Sequence, residues 1–209
     1  QTQFTQTGPD TGRRLSHLDP GNQPPLAVID QCILLALCLN IHNTQPSHGL
    51  TSEQMSAFVE RVIQHPLNWS VHTMSLLLRS RLEASRTRTV ERSTLQLQAL
   101  IDQMPTNDSS VRERLRFFHT LELPAKWAMQ SELAHRYVSI GVLRSALETF
   151  ERVEMWENVV QCLGLLGRQQ EGIEVVRDLL EGRKTEAEAQ LQAKRIATSV
   201  SRVPHTRFA

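Results

Sequence analysis

The chain has 209 residues, of which 40% are hydrophobic and only 5% aromatic, a balance that excludes wholesale disorder and argues against a strand-rich domain. Lys and Arg number 23 against 22 Asp and Glu, a formal charge of +1, so no global field draws the protein to nucleic acid or to an anionic membrane. The cysteines, Cys32, Cys38 and Cys162, are odd in number and lack CxxC or CxxH spacing, which argues against a disulfide framework or a zinc site and fits a reducing cytosolic or nuclear compartment.

Residues 1–25 mix Gly, Pro, Thr, Gln and Asp without periodicity and read as a flexible linker or exposed loop. They show no charged n-region, apolar h-region or cleavage-site order, so no signal peptide is expected; a chain opening on Gln1 reads as a piece of a longer protein. Residues 26–42 predict a helix that is apolar nearly all round and therefore covered on both sides, too short to span a bilayer and interrupted by Asp30 and Gln31. A second helix is expected to start at Thr51, where Thr51 and Gln54 have capping-box spacing, and to stop before Pro66.

Val71, Met74, Leu78 and Leu82 keep helical spacing after Asn68, and Val90, Thr94, Leu97, Ile101 and Met104 do so after Arg88, predicting two helices on a common core. Beyond a turn at Pro105, Ser110 and Glu113 form another capping-box pair, with Val111, Leu115 and Phe118 as one apolar stripe. Leu133, Tyr137 and Ile140, then Gly141, then Leu143, Leu147 and Phe150 predict a helical hairpin. The pattern recurs: Trp156, Val159, Val160, Leu163 and Leu166 precede Gly167, and Ile173, Val176 and Leu180 follow it. The two turn glycines lie 26 residues apart (167 − 141), less than the ~34 of a standard tetratricopeptide repeat.

Such a repeat places small residues where its helices cross, large ones where repeats stack, and a turn glycine between them. Leu133, Ala134, Tyr137, Gly141, Ala146 and Phe150 match that signature in order and spacing. The second copy is degenerate: Trp156, Leu163 and Gly167 hold the Trp, Tyr and Gly places, with Gly172 for the crossing Ala and Val176 for Phe. An ordinary helix bundle with coincidental spacing is the competing reading.

The stretches DQCILLALCLNIHNTQPSHGLTSEQM, HPLNWSVHTMSLLLRSRLEASRTRTVERSTLQLQALIDQ, and ERLRFF through the hairpins to VVRDLLE resemble the tetratricopeptide repeat protein twenty-seven family and its fungal relatives named for essential maintenance of the cell wall. The resemblance covers most of residues 29–181. It implies a cytoplasmic or nuclear helical solenoid without catalytic residues, acting as a scaffold or co-chaperone-type assembly factor within a longer parent. Residues 186–196, which read as a polar helix able to cap the array, and the basic tail 199–209 depart from the family pattern.

Many chaperone-binding tetratricopeptide domains grip a peptide's terminal carboxylates with Lys, Arg and Asn on successive first helices. The corresponding places here are Ala128, Ser131, Glu132 and His135, then Glu154, Glu157, Asn158 and Gln161. Such a carboxylate clamp is therefore not supported. The clearest charge feature is Arg79, Arg81, Arg86, Arg88 and Arg92 around a Ser/Thr-rich turn, a candidate for holding an acidic partner surface, with a solvated helix face as the plainer explanation. RNA is the weaker option, because no stacking aromatics are interleaved.

His42, His48, His65 and His72 lack metal-ligand spacing and are expected at helix ends; no phosphate-binding or dinucleotide-binding glycine loop is present. A nucleophile at Cys32 or Cys38 is disfavoured by the most apolar helix of the chain. Trp69, Trp127 and Trp156 sit near helix starts, where core packing competes with a partner-facing role. The reading is thus an all-α, TPR-like α-solenoid of antiparallel helix hairpins: linker 1–25, a non-consensus helical-repeat segment 26–123, two TPR-like hairpins 124–181, and a polar helix with basic tail 182–209. No cofactor and no membrane partner is expected. Protein partners are, the alternative being a purely structural segment of a larger solenoid.

Overall fold

A computed structural model describes residues 23–185. Residues 1–22 of the expected linker, the polar helix at 186–196 and the basic tail at 199–209 lie outside the described residues. Within them the elements are all helical: α1 (Val28–Thr44), α2 (Gly49–Ile63), α3 (Trp69–Glu83), α4 (Val90–Gln103), a short α5 (Val111–Leu115), a 3-10 turn (Phe118–Thr120), α6 (Lys126–Ser139), α7 (Leu143–Val153), α8 (Trp156–Leu165) and α9 (Gln169–Leu180). Each long helix packs on its neighbours in sequence, except that α5 steps aside onto α3 and lets α4 meet α6. This succession of antiparallel hairpins is a TPR-like α-solenoid.

Local chemistry fixes the helix starts, in two cases differently from the expectation. Asn68 caps α3 as its side-chain oxygen accepts from the amides of Ser70 and Val71 at 3.1 and 3.3 Å. The cap of α2 is His48, whose Nδ1 accepts from the Thr51 amide at 3.4 Å, so Thr51 lies inside the first turn and is not the cap. Its hydroxyl is buried and donates to the Pro46 carbonyl at 3.2 Å. Ser110 does cap α5, accepting from the Glu113 amide at 3.2 Å, but the Glu113 carboxylate turns to another helix and accepts from the Trp69 amide at 3.3 Å.

That carboxylate is one of several fastenings between α5 and the start of α3. The Asn68 side-chain amide donates to the Glu113 carbonyl at 3.1 Å, Ser70 donates to the Arg114 carbonyl at 2.7 Å, and the Arg114 guanidinium lies 4.0 Å from the Trp69 ring centre. With α5 held by polar groups, its apolar stripe faces outward: Val111, Leu115 and Phe118 are exposed at 70%, 56% and 65%.

Among the described residues two apolar cores run along the array. The first joins Leu35 of α1, Val59 of α2, Met74 and Leu77 of α3 and Leu97 of α4, and it extends to Met129 and Leu133 of α6. The second joins Ala134, Ala146, Phe150, Val159 and Leu163 from α6, α7 and α8. Adjacent residues Leu133 and Ala134, about 100° apart around α6, thus serve different cores. Tyr137 packs on both and donates its hydroxyl to Gln98 at 2.8 Å.

The most apolar helix is not the most enclosed one. On α1, Ile29, Ile33 and Leu37 are exposed at 65%, 52% and 44%, so the expected cover on both sides is absent among the described residues. The enclosed helix is α3, which buries Ser70, Thr73, Ser75 and Ser80 as well as Val71, Met74, Leu77 and Leu78. Small hydroxyl side chains let neighbouring backbones approach, and each finds an acceptor: Thr73 and Ser75 within α3, at the Trp69 and His72 carbonyls (2.8 and 2.7 Å), Ser70 across to α5 and Ser80 across to the Ser93 carbonyl of α4 at 2.9 Å.

Candidate interaction surface

In the first hairpin of the repeat pattern, Gly141 takes φ +81° between α6 and α7, a left-handed conformation that side chains resist. Ala134 and Ala146 are fully buried in the shared core, and Leu133 and Phe150 are buried beside them. In the second, Gly167 repeats the turn at φ +74° and Leu163 is buried. Trp156 lies under the Lys184 ammonium at 4.5 Å. A Cβ on Gly172 would meet Leu163 and Val160 at 3.9 Å, an ordinary contact, so the crossing alanine of the signature would fit there.

The short period has a visible cause. Between the two turns stand α7 with 11 residues, α8 with 10, and a connection in which Glu154 adopts φ 60°, ψ 36°. A left-handed residue at the end of α7 reverses the chain at once, where a longer loop would otherwise be needed. Beyond Gly167 the expected apolar positions form a face on α9 that is open to solvent, with Ile173, Val176 and Leu180 exposed at 52%, 40% and 84%.

Of the places where a carboxylate clamp would stand, Ser131, Glu132, His135 and Asn158 are taken up by contacts within the array, while Glu154, Glu157 and Gln161 are exposed without a cation among them. Glu132 accepts from Arg81 at 2.8 Å and from Arg136 at 2.6 Å. Ser131 donates to the Met155 sulfur at 3.1 Å, and His135 stacks edge-on against Phe150 at 5.0 Å and approaches Asn158 at 3.5 Å. Burial alone would push the Glu132 carboxyl up, but the hydrogen bonds and charges of Arg81 and Arg136 outweigh it and hold the group below its usual range. Arg136 also donates to the Ser80 hydroxyl at 2.7 Å, while that hydroxyl donates to the Ser93 carbonyl at 2.9 Å. A polar seam therefore joins α3 and α4 to α6.

The five clustered arginines separate into two groups. Arg79 and Arg92 both pair with Glu83, at 3.0 and 2.8 Å, and Arg81 pairs with Glu132. Burial would raise the Glu83 carboxyl, but the two arginines hold it below its ordinary value. Arg86 and Arg88 are exposed and meet no carboxylate among the described residues. Their turn is ordered nonetheless: Thr89 donates its hydroxyl to the Glu83 carbonyl at 2.7 Å and its amide to the Arg86 carbonyl at 2.9 Å.

Beside this turn lies a cavity of about 310 Å³ that the sequence did not disclose. It is lined by Cys38, Leu39 and His42 from the end of α1, Ser47, Ser52 and Met55 from the start of α2, and Leu78, Arg81, Leu82 and Ser85 from the end of α3 and beyond. No motif could reveal it, because three helices each contribute a few residues. The one local signal is the i,i+4 spacing of Cys38 and His42, which places both on one face of α1.

The chemistry of the remaining candidates is quiet. Cys32, Cys38 and Cys162 are buried free thiols, and burial pushes Cys38 up to about 11, so its thiolate is disfavoured. His48 caps α2 and His72 lies in the first turn of α3, where burial lowers its pKa. Among the described residues no cluster of His, Cys, Asp and Glu could hold a metal ion, and no helix is long and apolar enough to cross a membrane. Trp69 is half-buried against Arg114, but Trp127 is 53% exposed, contrary to a core-packing role for that ring.

Stacked hairpins, glycine turns and buried alanines at the crossing define the tetratricopeptide-like helical-repeat class, whose members serve as interaction scaffolds. The particular family follows from the relatives. A TPR repeat-containing protein of Schizosaccharomyces pombe is 41% identical over 198 residues, covering 80% of this chain and 24% of that protein. A tetratricopeptide repeat protein 27 homolog of Dictyostelium discoideum is 39% identical over 73% of the chain and 18% of its own length. Essential for maintenance of the cell wall protein 1 of Saccharomyces cerevisiae is 29% identical over 84% of the chain and 21% of its length. The chain belongs, as a partial match, to the family of tetratricopeptide repeat protein 27 and its fungal relatives. It spans about a quarter or less of the length of these relatives. No family model matches the chain, and no solved structure does.

Proposed function

We propose that the chain is a non-catalytic scaffold segment whose exposed arginine turn holds an acidic surface of a protein partner. The observation that carries this reading is the unspent charge of Arg86 and Arg88 on an ordered turn, beside Arg79, Arg81 and Arg92, which are consumed by internal ion pairs. Arginine suits the role because its planar fork meets carboxylates with two hydrogen bonds. The relatives' names support a repeat scaffold, and that of the yeast relative motivates a link to maintenance of the cell wall in fungi, to which the proposal adds an assembly or co-chaperone-type role. A cytoplasmic or nuclear location fits buried reduced thiols. A grip on chaperone tails through a carboxylate clamp is not part of the proposal, since Glu132 and His135 are committed to neighbours.

The test is capture of partners from extract by the full-length parent and by this chain, each with Arg86 and Arg88 as found and reversed to Glu. Loss of specific partners on reversal supports the scaffold reading, and unchanged capture removes it. A second reading, a purely structural segment of a larger solenoid, is favoured by the three internally paired arginines. It requires that the parent capture partners while the isolated chain captures none.

A further inference from the structure

The cavity at the shared end of α1, α2 and α3 is not required by the stacking of hairpins. Its wall is apolar at Leu39, Met55 and Leu78, and its rim carries His42, Arg81 and Ser85. Among the described residues no carboxylate lines it. Of the neighbouring acids, Glu83 is held by Arg79 and Arg92, which leaves Glu53, next to Ser52, as the one carboxylate adjoining the lining that has no ion pair among the described residues. Arg86 follows Ser85 directly, its Cα ~3.8 Å away, and Arg88 lies two residues further along the same exposed turn, so both unpaired cations belong to the turn that adjoins the cleft.

We infer that this cleft and the turn carrying Arg86 and Arg88 form one docking site for an acidic, extended peptide segment bearing one or two large apolar side chains. The apolar side chain seats among Leu39, Met55 and Leu78, and its flanking carboxylates meet the two arginines. A volume of about 310 Å³ stands at the small end of the ~300–1,000 Å³ typical of ligand clefts, which suits a side chain or two and not a folded surface. Among the described residues the lining holds no Phe, Tyr or Trp on which a base could stack, which disfavours single-stranded RNA. This inference rests on the scaffold reading and specifies what that scaffold holds.

The experiment uses the whole 209-residue chain and a fluorescein-labelled hexapeptide in which a Leu-Phe pair is flanked on each side by two carboxylates, read by fluorescence anisotropy. Two further peptides replace Leu-Phe by Ser-Ser, or every acid by Lys. Ser85→Trp fills the cleft, and the pair Arg86→Glu and Arg88→Glu reverses its lip. All three positions are exposed, so circular dichroism is expected to show unchanged helicity.

The expected result is saturable binding that falls by about tenfold or more with either variant, with either control peptide, and progressively with added salt. Equal binding by Ser85→Trp, equal binding of the Ser-Ser peptide, absence of binding, or preference for a single-stranded RNA oligonucleotide would each overturn it. If reversal of Arg86 and Arg88 abolishes partner capture while the peptide fails to bind, the scaffold reading survives and the cleft does not.

Discussion

Gly141, Gly167 and Glu154 perform the same task with different chemistry. All three take positive φ, at 81°, 74° and 60°, but glycine alone does so without crowding its own Cβ. Gly141→Ala is therefore expected to lower stability by about 1–2 kcal/mol, whereas Glu154→Gly raises it by about 0.5–1 kcal/mol, both measured by urea unfolding. Glu132 gives the second prediction at this scale. Its folded pKa is depressed below the ordinary 4.5, so its contribution is complete above that pH and is lost as pH falls through the lower folded value. Glu132→Gln is expected to cost about 2–3 kcal/mol at neutral pH, because Arg136 is only 11% exposed, and to flatten the acid limb of a stability profile.

At the scale of elements, the crossing of α6 and α7 depends on two residues without room to grow. Ala134 and Ala146 are both 0% exposed, and Ala146→Leu is expected to lower the thermal midpoint through about 1–3 kcal/mol of overpacking. Much of this architecture was legible. The spacing of Val71, Met74 and Leu97 gave α3 and α4, and the glycines at 141 and 167 gave the hairpin turns, because period and punctuation are local properties. What escaped depended on contacts distant in sequence. Apolar content singled out α1 as the enclosed helix, yet enclosure fell to α3, whose small serines and threonines find acceptors within the helix or on the helices packed against it and permit close neighbours. The spacing of Ser110 and Glu113 marked a cap correctly but was silent on the Glu113 carboxylate, which serves a helix 44 residues away. The arginine cluster was legible as charge only. Which of its members were already paired depended on where Glu83 and Glu132 came to lie.

Over the whole molecule, α6 carries the connection between two cores, and the two sides of that connection differ in kind. Toward α7 it is made of alanine, leucine and phenylalanine; toward α3 and α4, Met129 and Leu133 are joined by Arg136, Glu132, Arg81, Ser80 and Ser93. Apolar contacts weaken on cooling, while an ion pair is weakened by protons and by screening salt. Cooling therefore acts on both sides of α6, whereas acid acts on the ion-paired α3 and α4 side. Acid is expected to loosen the boundary on the α3 and α4 side of α6, where Glu132 is protonated out of its ion pairs. Acidification is thus expected to be felt first at ion-paired contacts, Glu132 between α3 and α6 and Glu83 between α3 and α4, places that temperature alone would not select.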